Sequence, residues 1–379
     1  AGDFSSIANG NSRPSAGRLD AIRAGQVQPN GGLVVSNGSY TAQTVVAINP
    51  AGAVSTTESV EVAGAANAIS ITEDEDFAVA GQFSSLAGTD RNNLGIIEDA
   101  SAWSRLTNLS CRARVSPSSG VLILGFVIQG PDSMRVLIRG AGPTLRNYGI
   151  ADAVPRPQLT LFNSAGQVLQ QNIGWQSGAG SAGLAEAMAQ VGAFPFTNPE
   201  DTAILLNLAP GAYTAHIGGY EGSQGVALGA IYAVDLGRSR LVNSAVRGPV
   251  GTGENLLIPG FTVSGGSRLL LLRAVGPTLA AFGVPNTLAQ PRMELKRSTG
   301  VLVASNQGWT TGFDPAALQA RSTLVGAFPL GAGSADAAFL TPLEAGGFTI
   351  TVSGADGGTG AALVEIYDAN GVETPKLNQ

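Results

Sequence analysis

The segment RGAGPTL at residues 139–145 returns almost unchanged as RAVGPTL at residues 273–279. Three further pairs of segments keep this spacing to within one residue: RLTN and RLVN at 105–108 and 240–243, Trp175 and Trp309, and VGAFP at 191–195 and 325–329. A spacing this constant leaves almost no room for insertions. The sequence therefore predicts two copies of one unit, over residues 104–237 and 238–370.

Each copy has the residue pattern of an all-β domain. Short apolar or β-branched runs, separated by Gly, Pro, Asn and Ser, predict seven strands in the first copy: 121–129, 134–140, 157–163, 167–172, 202–208, 212–218 and 226–234. The second copy repeats this order. One helix interrupts each unit, at 181–190 and 314–322, and the second opens with the N-cap Asp314 followed by Pro315. We predict tandem β-sandwiches, jelly-roll or immunoglobulin-like, with one short helix per repeat.

The first 103 residues follow a different pattern. Residues 1–32 are rich in Gly, Asn, Ser and Arg without a clear period, which predicts an extended N-terminal arm. Alternating runs at 40–48 and 53–62, on either side of the residues Asn-Pro-Ala-Gly, predict a β-hairpin. The surrounding region, 33–103, lacks the strands of a complete sandwich and is predicted to be a partial β domain. Residues 371–379 are assigned to a C-terminal tail.

Composition argues against several classes of function. Only 13% of the 379 residues are charged, about half the usual share, and the formal net charge is −6. An acidic balance argues against nucleic-acid binding, because phosphate neutralisation needs a basic surface. One histidine and one cysteine are too few for a disulfide framework or a structural zinc site. The sequence contains no run of 18 apolar residues and therefore predicts no membrane span.

Two parts of the sequence resemble known families. NGSYTAQTVVAINPAGAVSTTESVEV, residues 37–62, resembles the last two strands of bacterial immunoglobulin-like domains. The repeat, with its RLxN, GxGPTL, Trp and VGAFP motifs and a closing strand at 210–218, resembles a domain near the C-terminal ends of large secreted surface proteins of environmental bacteria. This second resemblance covers about 265 of the 379 residues. It implies secretion and display at the cell surface, and it brings no catalytic residues.

The RGAGPTL motif has two interpretations. A phosphate-binding loop needs exposed amides at a helix start and usually a following Lys, but no Lys follows here and the proline removes one donor. We therefore predict a turn after a strand, with a short helical turn behind it. Arg139 and Arg273 open this turn in the two copies. We predict that they bind carbonyl groups or a carboxylate inside the fold rather than a ligand, because Arg offers five donors.

Trp175 and Trp309 follow an Asn-x-Gly sequence in both copies. An exposed tryptophan would offer its ring face to a sugar. The duplication of the residue favours instead a role in packing, in the core or at the rim of each sandwich.

His216 and Cys111 are the single residues of their types. Without a second base near it, His216 is a poor candidate for activating a Ser or Cys nucleophile. Cys111 corresponds to Val246 in the second copy, so we predict that it packs as a small apolar residue. An intermolecular disulfide is the alternative.

The acidic run Glu73–Asp76 has two interpretations. Carboxylates bind calcium, but the run lacks the spaced Asp-x-Asp-x-Asp-Gly pattern of a calcium loop, so we predict a solvated acidic turn. Asn37 and Asn108 begin sequences that match N-glycosylation sites, a pattern frequent by chance.

These features predict a structural subunit of an extracellular bacterial filament or surface fibre, with no catalytic, cofactor-binding or metal-binding residues. The predicted partner is the protein itself. The arm of one copy would add a strand to the unpaired edges of the 40–62 hairpin of the next, head to tail. A modular surface adhesin or carbohydrate-binding protein, with surface glycans as partner, is the alternative, and a secreted hydrolase is disfavoured by the single histidine. We expect a secreted or cell-surface location, with Ala1 as a processed start.

Overall fold

The fold is all-β, as the sequence predicts. The computed structural model describes residues 22–27, 33–38, 43–48, 54–71, 77–86, 89–90, 92–97, 105–118, 120–177, 183–234, 239–264 and 267–369. The chain divides into two compact units, which are residues 1–104 with 265–267, and residues 105–264 with 268–379. Both predicted repeats belong to the second unit.

The first unit contains one antiparallel sheet, which we call the meander. Its strands are β1 (Ile22–Val27), β2 (Leu33–Gly38), β3 (Gln43–Ile48), β4 (Val54–Ile71), β5 (Phe77–Leu86), β6 (Thr89–Asp90) and β7 (Leu94–Ile97). Each strand from β1 to β5 pairs with the next along the chain, and β6 and β7 both pair with β5. A small core that includes Val34, Val62, Val79 and Phe83 lies on one face of the sheet.

Two expectations about this region were wrong. The predicted hairpin, now β3 and β4, has no unpaired edges, since β3 also pairs with β2 and β4 also pairs with β5. Residues 22–27, which we assigned to the arm 1–32, form β1 and pair with β2. The physical reason is that an isolated hairpin is marginal in water and needs further strands on its sides. Residues 1–21 lie outside the described residues.

The second unit, which we call the double sandwich, contains the same eight strands twice. The first repeat has β8 (Arg105–Val115), β9 (Leu122–Gln129), β10 (Met134–Ala141), β11 (Pro157–Asn163), β12 (Val168–Asn172), β13 (Thr202–Leu208), β14 (Gly211–Gly219) and β15 (Gly225–Ala233). The second has β16 (Arg240–Val250), β17 (Ile258–Ser264), β18 (Arg268–Val275), β19 (Pro291–Arg297), β20 (Leu302–Gln307), β21 (Ala337–Leu343), β22 (Gly346–Gly354) and β23 (Gly360–Asp368). The seven predicted strands of the first repeat are all present, and β8 precedes them.

Each repeat also contains the predicted helix and the predicted helical turn. The helices are α1 (Leu184–Gln190) and α2 (Pro315–Leu324), and the Asp314 side chain caps α2 by accepting a hydrogen bond from the Ala316 nitrogen at 2.9 Å. The helical turns are short 3-10 helices at Pro143–Tyr148 and Pro277–Phe282.

The first strand of each repeat lies between strands of both repeats. β8 pairs with β15 of its own repeat and β17 of the other, and β16 pairs with β23 of its own repeat and β9 of the other. Apart from one residue pair, Leu241 with Leu106, that links β16 to β8, the strands form two sheets. Sheet I has the order β12-β11-β14-β9-β16-β23-β18-β21, and sheet II has the order β20-β19-β22-β17-β8-β15-β10-β13. The β8–β17 junction and the β16–β9 junction have the same register. Leu109 pairs with Phe261 in the first, and their counterparts Ser244 and Phe126 pair in the second. This reciprocal pairing has the symmetry of a twofold dimer.

A single hydrophobic core fills the space between the two sheets. It takes residues from both repeats, among them Leu124 and Ile217 from sheet I and Leu109 and Phe261 from sheet II. The helices lie outside this core. α1 packs on the outer face of sheet II and α2 on the outer face of sheet I, each over a smaller apolar cluster.

Candidate functional site

The GPTL motif meets a buried aspartate that lies far away in the sequence. Asp201 accepts hydrogen bonds from the main-chain nitrogen of Gly142 at 2.7 Å and from the nitrogen and the hydroxyl of Thr144. Burial raises the pKa of Asp201, while the hydrogen bonds from Thr144 and Gly142 act in the opposite direction. Asp336 makes the corresponding bonds in the second repeat. Each carboxylate thus satisfies amides at the start of a 3-10 turn, where helical N–H groups lack partners.

Glycine is required where this turn begins. A Cβ on Gly142 would lie 2.3 Å from the carbonyl oxygen of Val154, and a Cβ on Gly276 would lie 2.1 Å from that of Leu288. Both distances are far below van der Waals contact. The motif is therefore a closely packed turn whose amide is already bonded, in agreement with the turn interpretation and not with a phosphate-binding loop.

The paired arginines bind carbonyl groups inside the fold, as predicted. Arg139 is buried and donates from Nη2 to the carbonyl of Phe194 at 2.6 Å, with its guanidinium 4.1 Å from the centre of the Phe196 ring. Arg273 is also buried and donates from Nη1 to the carbonyl of Phe328 at 2.8 Å. The VGAFP motif is thereby held against the strand that precedes GPTL. Burial lowers the pKa of Arg139.

The two tryptophans are packed at the edge of the clusters under the helices, in agreement with the packing interpretation. Trp175 is half-buried, its main-chain nitrogen donates to the Asp201 carbonyl at 2.6 Å, and its Nε1 donates to the Asn198 carbonyl at 3.0 Å. Trp309 is also half-buried, and its main-chain nitrogen donates to the Asp336 carbonyl at 2.7 Å. The GPTL turn and the tryptophan therefore meet at one buried aspartate in each copy.

Sequence reasoning missed both aspartates. A signal for them exists, because Asp201 recurs as Asp336 at the same spacing as the other motifs. Asp201 belongs to none of the repeated motifs, and the Gly142 amide that it binds is 59 residues away in the sequence.

The second repeat contains a buried carboxylate that the first repeat lacks. Glu365 lies 3.1 Å from Arg273 Nε and accepts a hydrogen bond from the Tyr367 hydroxyl at 2.6 Å. Its counterpart, 135 residues earlier, is Ala230. Burial, followed by the charge of Glu365, raises the pKa of Tyr367 well above its usual range.

A groove of about 640 Å³ opens beside α2 on the outer face of sheet I. Its sheet side is formed by β9, β14, β16 and β23, and includes Asn243, Glu365 and Tyr367. Its other side is formed by α2 and the segment that follows it, with Trp309 and Phe328. The groove crosses the junction between the repeats, so neither repeat forms it alone. We take it as the candidate functional site, because a mainly apolar concavity with a few convergent polar groups is the usual form of a binding site.

His216 and Cys111 lie in positions that do not form a catalytic pair. Cys111 is fully buried in the central core, where burial raises its pKa to about 12, so it packs as a small apolar residue as predicted. This burial argues against an intermolecular disulfide. His216 lies on β14 with its ring 4.7 Å from that of Phe162, and its pKa is lowered by burial and by the charge of Arg247.

The remaining candidates do not add a site. Asn108 lies within β8, between β15 and β17, in the middle of sheet II, which is unlike the surface loop of a glycosylated Asn. Asn37 lies on β2, and the run Glu73–Asp76 lies outside the described residues. Within the described ranges no group of three or more His, Cys, Asp or Glu side chains is arranged to hold a metal ion. Among the helices of those ranges, none has the length and apolar character to cross a membrane.

Comparison with known proteins does not identify the chain. No protein-family model matches this sequence, and no curated protein matches it either. A DUF4785 family protein from Legionella pneumophila is among the solved structures that give a match, at 8% sequence identity, covering 73% of this chain and 88% of that one. Its TM-score is 0.18, and it carries no argument about fold or function.

Proposed function

We propose that this protein is a structural subunit of an extracellular bacterial filament or surface fibre, and that its copies join head to tail by β-strand addition. The observation that supports the proposal is the character of two edge strands. Among the described residues, β12 pairs only with β11, at one end of sheet I, and β20 pairs only with β19, at one end of sheet II. β12 belongs to the first repeat and β20 to the second. β21 and β13 are the strands at the other ends of sheets I and II, so each repeat contributes two edge strands, and β12 and β20 are the pair considered for assembly.

Both edges expose apolar side chains. Val168 and Leu169 on β12 are 58% and 44% exposed. Leu302, the first residue of β20, is 53% exposed, and Val301 just before it is 60% exposed. Natural edge strands are usually protected by Lys, Pro or inward-facing charges, and neither strand contains Lys or Pro. An edge with free main-chain groups and apolar side chains is suited to pairing with another strand.

The two edges differ in sequence, which gives an assembly its direction. A contact between β12 of one copy and β20 of the next uses two different surfaces, and such heterologous contacts produce open filaments unless the rotation closes a ring. This route replaces the arm-and-hairpin exchange expected from sequence, since the hairpin edges are already paired within the meander. The secreted location remains part of the proposal, and it rests on the resemblance of the repeat to surface proteins.

Electron microscopy and light scattering of the full chain test the proposal. We expect filaments whose length grows with protein concentration, and we expect the double variant Leu169→Lys/Leu302→Lys to abolish them, because a lysine on an edge opposes strand addition. Val121→Lys is the matched control, since Val121 is an exposed aliphatic residue outside both edge strands. Filaments that persist in the double variant, or an unmodified 379-residue chain that stays monomeric at high concentration, would show the proposal to be wrong.

A further inference from the structure

The groove beside α2 contains a charged group that the fold does not require. Glu365 is only 4% exposed and is paired with Arg273. The first repeat has Ala230 at this position, yet it builds the same strands and holds Arg139 against the Phe194 carbonyl. A buried ion pair contributes little to stability, because desolvation of both charges offsets their attraction. The first repeat therefore acts as an internal control, and it indicates that Glu365 has a role in the groove.

The helix beside the groove also differs between the repeats. Ser322 on α2 lines the groove, whereas its counterpart Met188 on α1 is buried in the cluster under that helix. A serine removes most of the volume that the methionine fills. The second repeat thus combines a smaller helix residue with an added carboxylate, and both changes face the same space.

The polar atoms of the groove indicate the chemistry of a ligand. Asn243 lines the groove, and its Oδ1 is a buried acceptor without a hydrogen-bond partner among the described residues. Arg273 does not line the groove, but it pairs with Glu365, which does. The charges of Arg273 and Glu365 compensate each other, which favours a neutral ligand. Hydroxyl groups suit this set best, because each one both donates and accepts a hydrogen bond.

The apolar walls indicate the shape of the ligand. Trp309, which precedes α2, and Phe328 and Leu330, which follow it, line the groove and lie outside the strands that supply its polar groups. The volume of about 640 Å³ lies within the range of small-molecule sites, about 300–1,000 Å³. We infer that the groove binds a neutral saccharide, with its hydroxyls toward Asn243 and Glu365 and an apolar ring face toward the aromatic wall. This inference is independent of the assembly proposed above, because the groove and the two edge strands involve different residues.

Binding of the 379-residue chain to an array of immobilised neutral and acidic oligosaccharides tests the inference. Calorimetry with a soluble fragment of the neutral glycan that binds most strongly follows. We expect neutral glycans to bind. We expect Glu365→Gln, which keeps the side-chain shape, and Ser322→Met, which restores the residue of the first repeat, each to weaken binding about tenfold or more. Glu254→Gln is the matched control, since Glu254 is an exposed carboxylate outside the groove, and it should bind as the unmodified protein does.

Three results would overturn the inference: no binding to any glycan, binding to acidic glycans only, or undiminished binding by both groove variants. Circular dichroism and melting temperature show that a variant is folded before its binding is compared. Filament formation is measured separately on the same samples, so a failure of assembly and a failure of binding are distinguishable.

Discussion

A cut in the chain between the two repeats tests how far they depend on each other. A protease site placed between Val234 and Ser239 allows the uncut chain to fold first and to be cleaved afterwards. The ladders of β16 with β9 and of β17 with β8 each join seven residue pairs across the cut. At about 1 kcal/mol net for each main-chain hydrogen bond, the two ladders together contribute on the order of 10 kcal/mol. The unfolding free energy of a whole domain is of the same size, about 5–15 kcal/mol.

We therefore expect the two fragments to stay associated after cleavage. They should co-elute from a size-exclusion column in native buffer at the volume of the uncut protein, and they should separate only in denaturant. The uncut protein with the same inserted site is the control for any effect of the insertion. Elution of two folded, monomeric fragments, each with its own cooperative melting transition, would refute the conclusion that the sheets are shared between the repeats.

Three further outcomes follow from individual buried groups. Asp201→Ala should lower the unfolding free energy by about 1–3 kcal/mol in denaturant titration, because it leaves the Gly142 amide buried without an acceptor, while Glu186→Ala on the exposed face of α1 should leave it unchanged. Cys111, with its pKa raised to about 12, should resist a thiol reagent at mildly alkaline pH until denaturant is added, and rapid labelling in native buffer would contradict its burial. His216 should titrate below the ordinary value of about 6.5 in NMR spectra, because burial lowers its pKa. The unfolded chain then binds the proton more readily than the folded chain, so the contribution of His216 costs no stability above about pH 6.5 and lowers stability as the pH drops through that value toward the folded pKa. His216→Phe should remove this part of the pH dependence, and a titration midpoint at or above 6.5 would contradict the reasoning.

Local signals in the sequence were sufficient for the elements of the double sandwich. The strands of the first repeat, the 3-10 turn after Pro143 and the cap of α2 at Asp314 all depend on residues within a few positions of each other. Turn chemistry, strand alternation and helix capping depend on residues close together in the chain. They can therefore be recognised in a single sequence. The prediction that Arg139 binds carbonyl groups inside the fold is also confirmed. It follows from local chemistry, because a guanidinium with five donors at the end of a buried strand needs acceptors close by.

Those local signals do not predict the candidate site. The groove depends on Asn243 from the start of the second repeat, on Glu365 near its end and on β9 of the first repeat, and no spacing rule connects them. The sequence also does not predict that β12 and β20 are edge strands. A strand at the end of a sheet and a strand inside it have similar short apolar sequences.

Repeated motifs and local patterns are enough to establish that the chain repeats one all-β unit, which strands that unit contains and where its turns and helix lie. Two features depend on packing between distant parts of the chain: β8 and β16 each lie between strands of both repeats, and the hairpin of the meander has strands on both sides. The physical reason is that a strand offers the same main-chain donors and acceptors to any neighbour with a compatible face. In a tandem repeat the strands of the two copies have matching faces, so the choice of neighbour is made by how the two sheets close around their common core.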